Sequence, residues 1–356
     1  MLLVALLLLT YLLLSALPLL VGSSETVNLW QAQSYPGKVE LARIWQPNYQ
    51  VTDISYYNIM PLLFGTFKAA LIGIFLAVPL AALCAIYTAI IMPAGWRRRI
   101  KPIVELMEAV PTVILGFLAA VWLAPLLQAN LFSFLFVIVF LPFSILLVGY
   151  FWSLQSSIRM VAIVRPLLLL LTVAVLVLIG CWLEAWLFDS HFSEWLEVTL
   201  GWEYQLRNAL VVGLMLGLAI IPVIFSLAED ALSEVPMELH LGSIALGAGR
   251  WQTIWRVLLP SAASGLLAAV LLGLGRALGE TMIVLMASNN SPLLQASVFQ
   301  GLRSISATLA IELPEAATGS VHFQVLLYAA LILFVFTLLF NSTAEFLRHH
   351  FHRQRY

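Results

Sequence analysis

The feature that most constrains this chain is a succession of apolar runs, each about as long as a bilayer is thick. A helix needs about 20 apolar residues to cross the hydrocarbon core, and by that measure about eight spans are expected. They cover residues 1–21, 61–91, 110–127, 131–152, 166–188, 208–227, 262–286 and 323–341. The expected fold is therefore an all-α, polytopic membrane protein. Composition agrees: 62% of the 356 residues are hydrophobic and only 10% charged, too few charges to cover a water-soluble surface. A net charge of −1 excludes a basic nucleic-acid binder. The first run has no basic leader, because the first Lys or Arg is Lys38, so it is expected to be a span rather than a cleaved signal. No soluble domain fits between the runs, and no internal repeat is visible.

Lys and Arg are distributed unevenly between the loops, which sets orientation. One set of loops and the tail carry Arg97, Arg98, Arg99, Lys101, Arg159, Arg165, Arg250, Arg256, Arg348, Arg353 and Arg355. The opposite set carries Lys38, Arg43 and Arg303, with Arg207 on a boundary. Eleven against three predicts that both termini are cytoplasmic and that residues 189–205 face outward. Trp195, Trp202 and Tyr204 in that outer segment suit a membrane–water interface without any ligand.

The loop at 228–262 is the most informative. Pro236 suits a first helical turn and Gly247 a left-handed helix stop. Between them Leu239, Gly242, Ser243 and Leu246 recur at i, i+3, i+4 and i+7 and share a small apolar face. Such a short helix fits either a partner's groove or the lipid headgroups, and periodicity does not choose between them.

Gly247, followed thirteen residues later by Pro260 in Leu259-Pro260, resembles the cytoplasmic loop signature of ABC-importer permeases. The leading Glu-Ala-Ala of that signature reads Leu241-Gly242-Ser243 here, with Glu238 the nearest acid. The next span reads Gly273-Leu-Gly-Arg-Ala-Leu-Gly-Glu-Thr-Met-Ile-Val-Leu-Met286, followed by Asn289-Asn290. It resembles the permeases of the phosphate-specific transport (Pst) system, especially the C-type subunit. So do Pro61–Thr66, Ala77–Leu80, Lys101–Glu105, Val110–Gly116 and Pro222–Ala231. The resemblance runs from Pro61 to the C-terminus and is interrupted by the fourth and fifth spans, an addition to a six-span type I importer core. It is to an enlarged type that carries a large external domain after its first span; here only residues 22–60 occupy that place.

The resemblance implies two regions: residues 1–60, an N-terminal span and external segment, and 61–356, the permease domain. It implies a bacterial inner-membrane subunit translocating inorganic phosphate by alternating access. Its expected partners are a second permease, two ATPase subunits and an external phosphate-binding protein. ATP and Mg would belong to the ATPase, with no cofactor on this chain. Contact with the ATPase would fall to Glu238, Leu239, Gly242, Ser243, Leu246, Gly247, Arg250 and Trp251. Rival expectations are a permease for molybdate or sulfate, a phosphate-sensing subunit that does not transport, and a membrane enzyme, which lacks any catalytic cluster.

Within the seventh span, Arg276 and Glu280 are four residues apart and so on one helical face. An ionisable group at mid-membrane costs at least ~2.5–3.5 kcal/mol and marks a transport path or a structural bridge. As a pathway, Arg276 offers an oxyanion a planar fork of donors, Glu280 holds Arg276 between passages, and Thr281 adjoins them. Gly213/Gly217 and Gly275/Gly279 have the spacing of close helix packing. Lys68 is placed to snorkel outward; Glu105 and Glu108 suit a helix start. Cys84 and Cys181 are expected as apolar fillers. His349, His350 and His352, beside three arginines, suit a basic headgroup-facing tail better than a metal site. No GxxxxGK[ST] occurs, so a partner must supply the ATPase.

Overall fold

The computed structural model describes residues 9–14, 45, 57–154, 164–188 and 192–353, and its regular elements are all helices. In chain order they are α1 Met60–Ile91, α2 Ala94–Leu106, α3 Thr112–Ala129, α4 Leu131–Leu154, α5 Val164–Leu187 and α6 Phe192–Leu200. There follow α7 Ala209–Ser233, α8 Met237–Ala245, α9 Arg250–Gly279, α10 Met282–Ala287, α11 Ile305–Glu312 and α12 Val321–Arg353. Among the described residues, six helices are long and apolar enough to cross a membrane: α1, α3, α7, α9 and the apolar parts of α5 and α12. The expected first span is helical at 9–14 and otherwise lies outside the described residues, as do most of 22–60 and the tail's histidine side chains.

Two compact units are present, one of residues 1–120 with 207–356 and one of 121–206. In the first, α7 is central: 61% of its most apolar stretch is buried, against 11–33% for the other spans. Its main partner is α1. A Cβ at Gly217 would lie 3.0 Å from the Gly73 carbonyl oxygen, and one at Gly73 3.3 Å from the Gly217 nitrogen, so small residues let the two backbones touch. The start of α7 is fixed by Asn208, whose buried Oδ1 accepts from the Val211 N–H at 3.0 Å, satisfying a donor the helix leaves open.

The second unit pairs α4 with α5, the two helices interrupting the resemblance. Ser133 Oγ donates to the Val177 carbonyl at 3.1 Å, directly beside Gly180, where a Cβ would meet it. Cys181 packs there against Asn130 and Ser133. Phe132, Phe188, Phe192 and Trp195 stack together and hold α6.

Between α10 and α11 the chain is irregular, yet several of its backbone carbonyls are engaged, as non-helical backbone in a membrane protein needs. Ala209 and Leu210 donate N–H groups to the Gln300 and Val298 carbonyls at 3.0 and 3.1 Å. The Lys68 ammonium, expected to reach outward, is buried instead and donates to the Gln295 and Ser297 carbonyls at 3.0 and 2.5 Å. It is a structural clasp on this segment. The Arg303 guanidinium meets the nearly buried Glu312 carboxylate at 2.5 Å, which also accepts from Trp45 Nε1 at 3.2 Å.

Candidate functional site

The expected seventh span is not one helix. α9 ends at Gly279, Glu280 takes an extended conformation (φ −69°, ψ 126°), and α10 begins at Met282. Ser306 Oγ donates to the freed Glu280 carbonyl at 2.9 Å. The second half-helix lies directly against α3: a Cβ at Gly116 would sit 2.8 Å from the Met282 carbonyl oxygen. A broken helix in a membrane protein persists where it is packed by protein or lines a wet cavity.

This break rearranges the charges. Arg276, in the last turn of α9, pairs through Nη1 with Glu108 Oε1, not with Glu280. Glu280 turns away and accepts the Met282 N–H at 3.2 Å, capping α10. The expected pair four residues apart is therefore replaced by one between distant elements, because the helical spacing it needs is lost at Gly279. Thr281 Oγ1 donates to the Gly279 carbonyl at 3.3 Å. Arg276 is 33% exposed and Glu108 46%, so both side chains keep part of their surface open on this subunit. Glu108 lies not at a helix start but on the single turn Met107–Ala109 joining α2 to α3. Gly275 touches Asn341 of α12, as close packing requires, whereas a Cβ at Gly279 would meet no atom within 4 Å among the described residues, and Gly279 serves as the helix end.

Nearer the loop that carries α8, a second charged cluster ties α2 to α7. Glu229 has no exposed side-chain surface and is gripped by Arg97 and by Lys101, whose Nζ lies 2.7 Å from it and 2.5 Å from Asp230. Burial alone would lower the Lys101 ammonium, but the Asp230 and Glu229 carboxylates beside it outweigh this and raise it above the ordinary lysine value. Arg97 also donates to Ser233 Oγ, which in turn donates to the Glu229 carbonyl at 2.7 Å. Glu105 accepts from Ser226 Oγ at 3.2 Å. The sequence offered Glu229 only as one residue of a familiar stretch; the signal that could have singled it out is a charge at the end of a strongly apolar run.

The loop 228–262 folds as α8, a stop, and the start of α9. Pro236 caps α8 in an extended conformation, and Gly247 stands at φ 82°, the left-handed stop the loop requires. No residue of α8 is buried. Leu239, Gly242 and Leu246 are exposed, Leu246 at 90%. Ser243 does not share their environment: its Oγ lies 2.9 Å from Thr253 Oγ1, on the side turned to α9. The free surface consists of Met237, Glu238, Leu239, Leu241, Gly242, Ile244 and Leu246. Arg250 is exposed at the α9 start, and Trp251 is exposed with its ring edge-on to Trp255 at 6.1 Å.

Three relatives share most of this chain. The phosphate transport system permease protein PstC of Haemophilus influenzae is 29% identical over 332 residues, covering 93% of this chain and 85% of that one. PstC 1 of Mycobacterium tuberculosis is 28% identical over 294 residues, covering 82% and 72%. The probable ABC transporter permease protein YqgH of Bacillus subtilis is 27% identical over 301 residues, covering 84% and 75%. A family model spans residues 77–354, taking in the broken helix, the charged clusters and the exposed loop. The chain belongs to the family of binding-protein-dependent transport system inner membrane components.

Proposed function

We propose that this protein is a C-type permease subunit that carries inorganic phosphate inward through an ATP-driven importer. The observation that supports this best is Arg276: a guanidinium at the break of a membrane helix, partly exposed and held by one carboxylate. Its planar fork suits a tetrahedral oxyanion, and two of the relatives named above are phosphate transport permeases. Thr281 and the capping carboxylate of Glu280 border the same break. Energy comes from a separate ATPase, which takes the exposed face of α8 in its groove. Two ATPase copies, a second permease and an external phosphate-binding protein complete the assembly, with both termini of this chain cytoplasmic.

The test is labelled phosphate uptake by the complete importer in liposomes. Arg276→Gln is expected to lower uptake at least a hundredfold while the complex assembles normally, and Arg276→Lys to restore only part of it, since an ammonium lacks the fork. Uptake that survives Arg276→Gln would remove the site. Uptake of molybdate or sulfate in place of phosphate would reassign the cargo but keep the mechanism.

A further inference from the structure

We infer that Glu108 is the displaceable counter-anion of Arg276: the passing oxyanion takes its place on the guanidinium, and its return helps to expel the cargo. This rests on Arg276 as the cargo site, and it gives that site a release device. The pair has the marks of a partnership made to open. Contact is through a single nitrogen and a single oxygen, although an arginine and a carboxylate that serve as a lock can join through two parallel bonds. Arg276 therefore keeps its other donors unspent, and no further hydrogen bond of Arg276 occurs among the described residues. Both side chains are partly exposed, at 33% and 46%, so an anion can approach without dismantling the core.

Charge gives the reason for such a device. A lone guanidinium within a membrane protein is costly, and one that meets a phosphate unopposed becomes a trap. A carboxylate of equal and opposite charge removes both problems, because it neutralises the empty site and competes for the filled one. Glu280 does not serve, since its carboxylate is committed to the Met282 N–H. Glu108 also occupies the right kind of element. It stands on a single turn followed by the extended residue Val110 (φ −65°, ψ 125°), a connection that small changes in φ and ψ can swing. On its other side α2 is clamped to Glu229 and Ser233, the last of these only four residues before α8. Motion at α8 thus has a short mechanical route to the Glu108 carboxylate.

The experiment measures binding of labelled inorganic phosphate to the membrane-embedded complex of permease and ATPase subunits in nanodiscs, without nucleotide, beside uptake by the full importer. Glu108→Gln is expected to tighten phosphate binding about tenfold, as loss of one charge-assisted competitor should, and to slow uptake through slow release. Glu108→Asp, which keeps the charge on a shorter arm, is expected to tighten it less. The Glu108→Gln, Arg276→Gln double variant should bind as weakly as Arg276→Gln alone, because the carboxylate acts only through the guanidinium. If Arg276→Gln abolishes binding while Glu108→Gln leaves it unchanged or weaker, Glu108 is merely structural and the inference falls. If Glu108→Gln fails to assemble, unchanged affinity in Glu108→Asp overturns it equally. Binding that survives Arg276→Gln refutes the cargo site itself, a different failure.

Discussion

Glu229 shows most directly what a buried charge does in this protein. It has no exposed side-chain surface, and Arg97 and Lys101 converge on it, the pairing that a buried carboxylate requires. Both cations retain access to solvent, so Glu229→Gln strands nothing fully buried, and the loss is that of charge-assisted hydrogen bonds, about 1.5–3 kcal/mol. Thermal unfolding of the purified complex should show it as a lowered midpoint, and an unchanged midpoint would mean that the cluster contributes no stability. The sign with pH is fixed as well. Lys101 titrates above its ordinary value, so its contribution is complete below that value and fades only as pH rises beyond it. The Glu229→Gln deficit should therefore be equal at about pH 6 and about pH 8. Residues such as these mark the limit of the sequence. Every charge in an apolar run is conspicuous there, but partners are not, since only the helical spacing of four is visible locally. That rule joined Arg276 to Glu280, whereas the structure joins it to Glu108, on a turn 168 residues away.

Helices were more legible than their interruptions. Long apolar runs announce spans because the bilayer sets their length, and α1, α3, α5, α7, α9 and α12 all lie where such runs lie. The break at Glu280–Thr281 left no comparable trace: no proline stands there, and Ser306, which satisfies the freed carbonyl, is 26 residues distant. For α8 the sequence supplied the stop and the face of Leu239, Gly242 and Leu246, and put Pro236 in the first turn where it is the residue before it. It did not supply the turn of Ser243 toward Thr253, which depends on how α9 restarts. That exposed surface yields a sharp test. A Cβ added at Gly242 would meet no atom of the described residues within 4 Å, and tryptophan is a better helix former than glycine by a few tenths of a kcal/mol. Gly242→Trp should thus leave the permease folded and inserted. In co-purification with the ATPase and in stimulated ATP hydrolysis, however, it should lose most of its activity. Normal values for both would show that the partner does not approach this face.

At the scale of the whole molecule, the order of spans makes a prediction that separates crossing from orientation. Glu197 on α6 and Glu238 on α8 are both exposed, and a single long apolar helix, α7, stands between them in the chain. If α7 crosses the membrane, the two lie on opposite sides whichever way the protein is inserted. The Lys and Arg asymmetry then predicts the sign, with Glu238 beside the basic loops inside and Glu197 outside. Ser193 is unsuitable as the outer probe, because it is buried and its hydroxyl lies 3.5 Å from the Gln128 carbonyl. The native thiols must also be removed: Cys84 is exposed, and Cys181 is partly so. In a background with both replaced by serine, Glu197→Cys should react with an impermeant maleimide in intact cells, and Glu238→Cys only after lysis. Reaction of both on the same side would deny that α7 spans the bilayer. The reverse pattern would leave the span intact but invert the protein, turning α8 away from any cytoplasmic ATPase and removing the basis for coupling through Gly242.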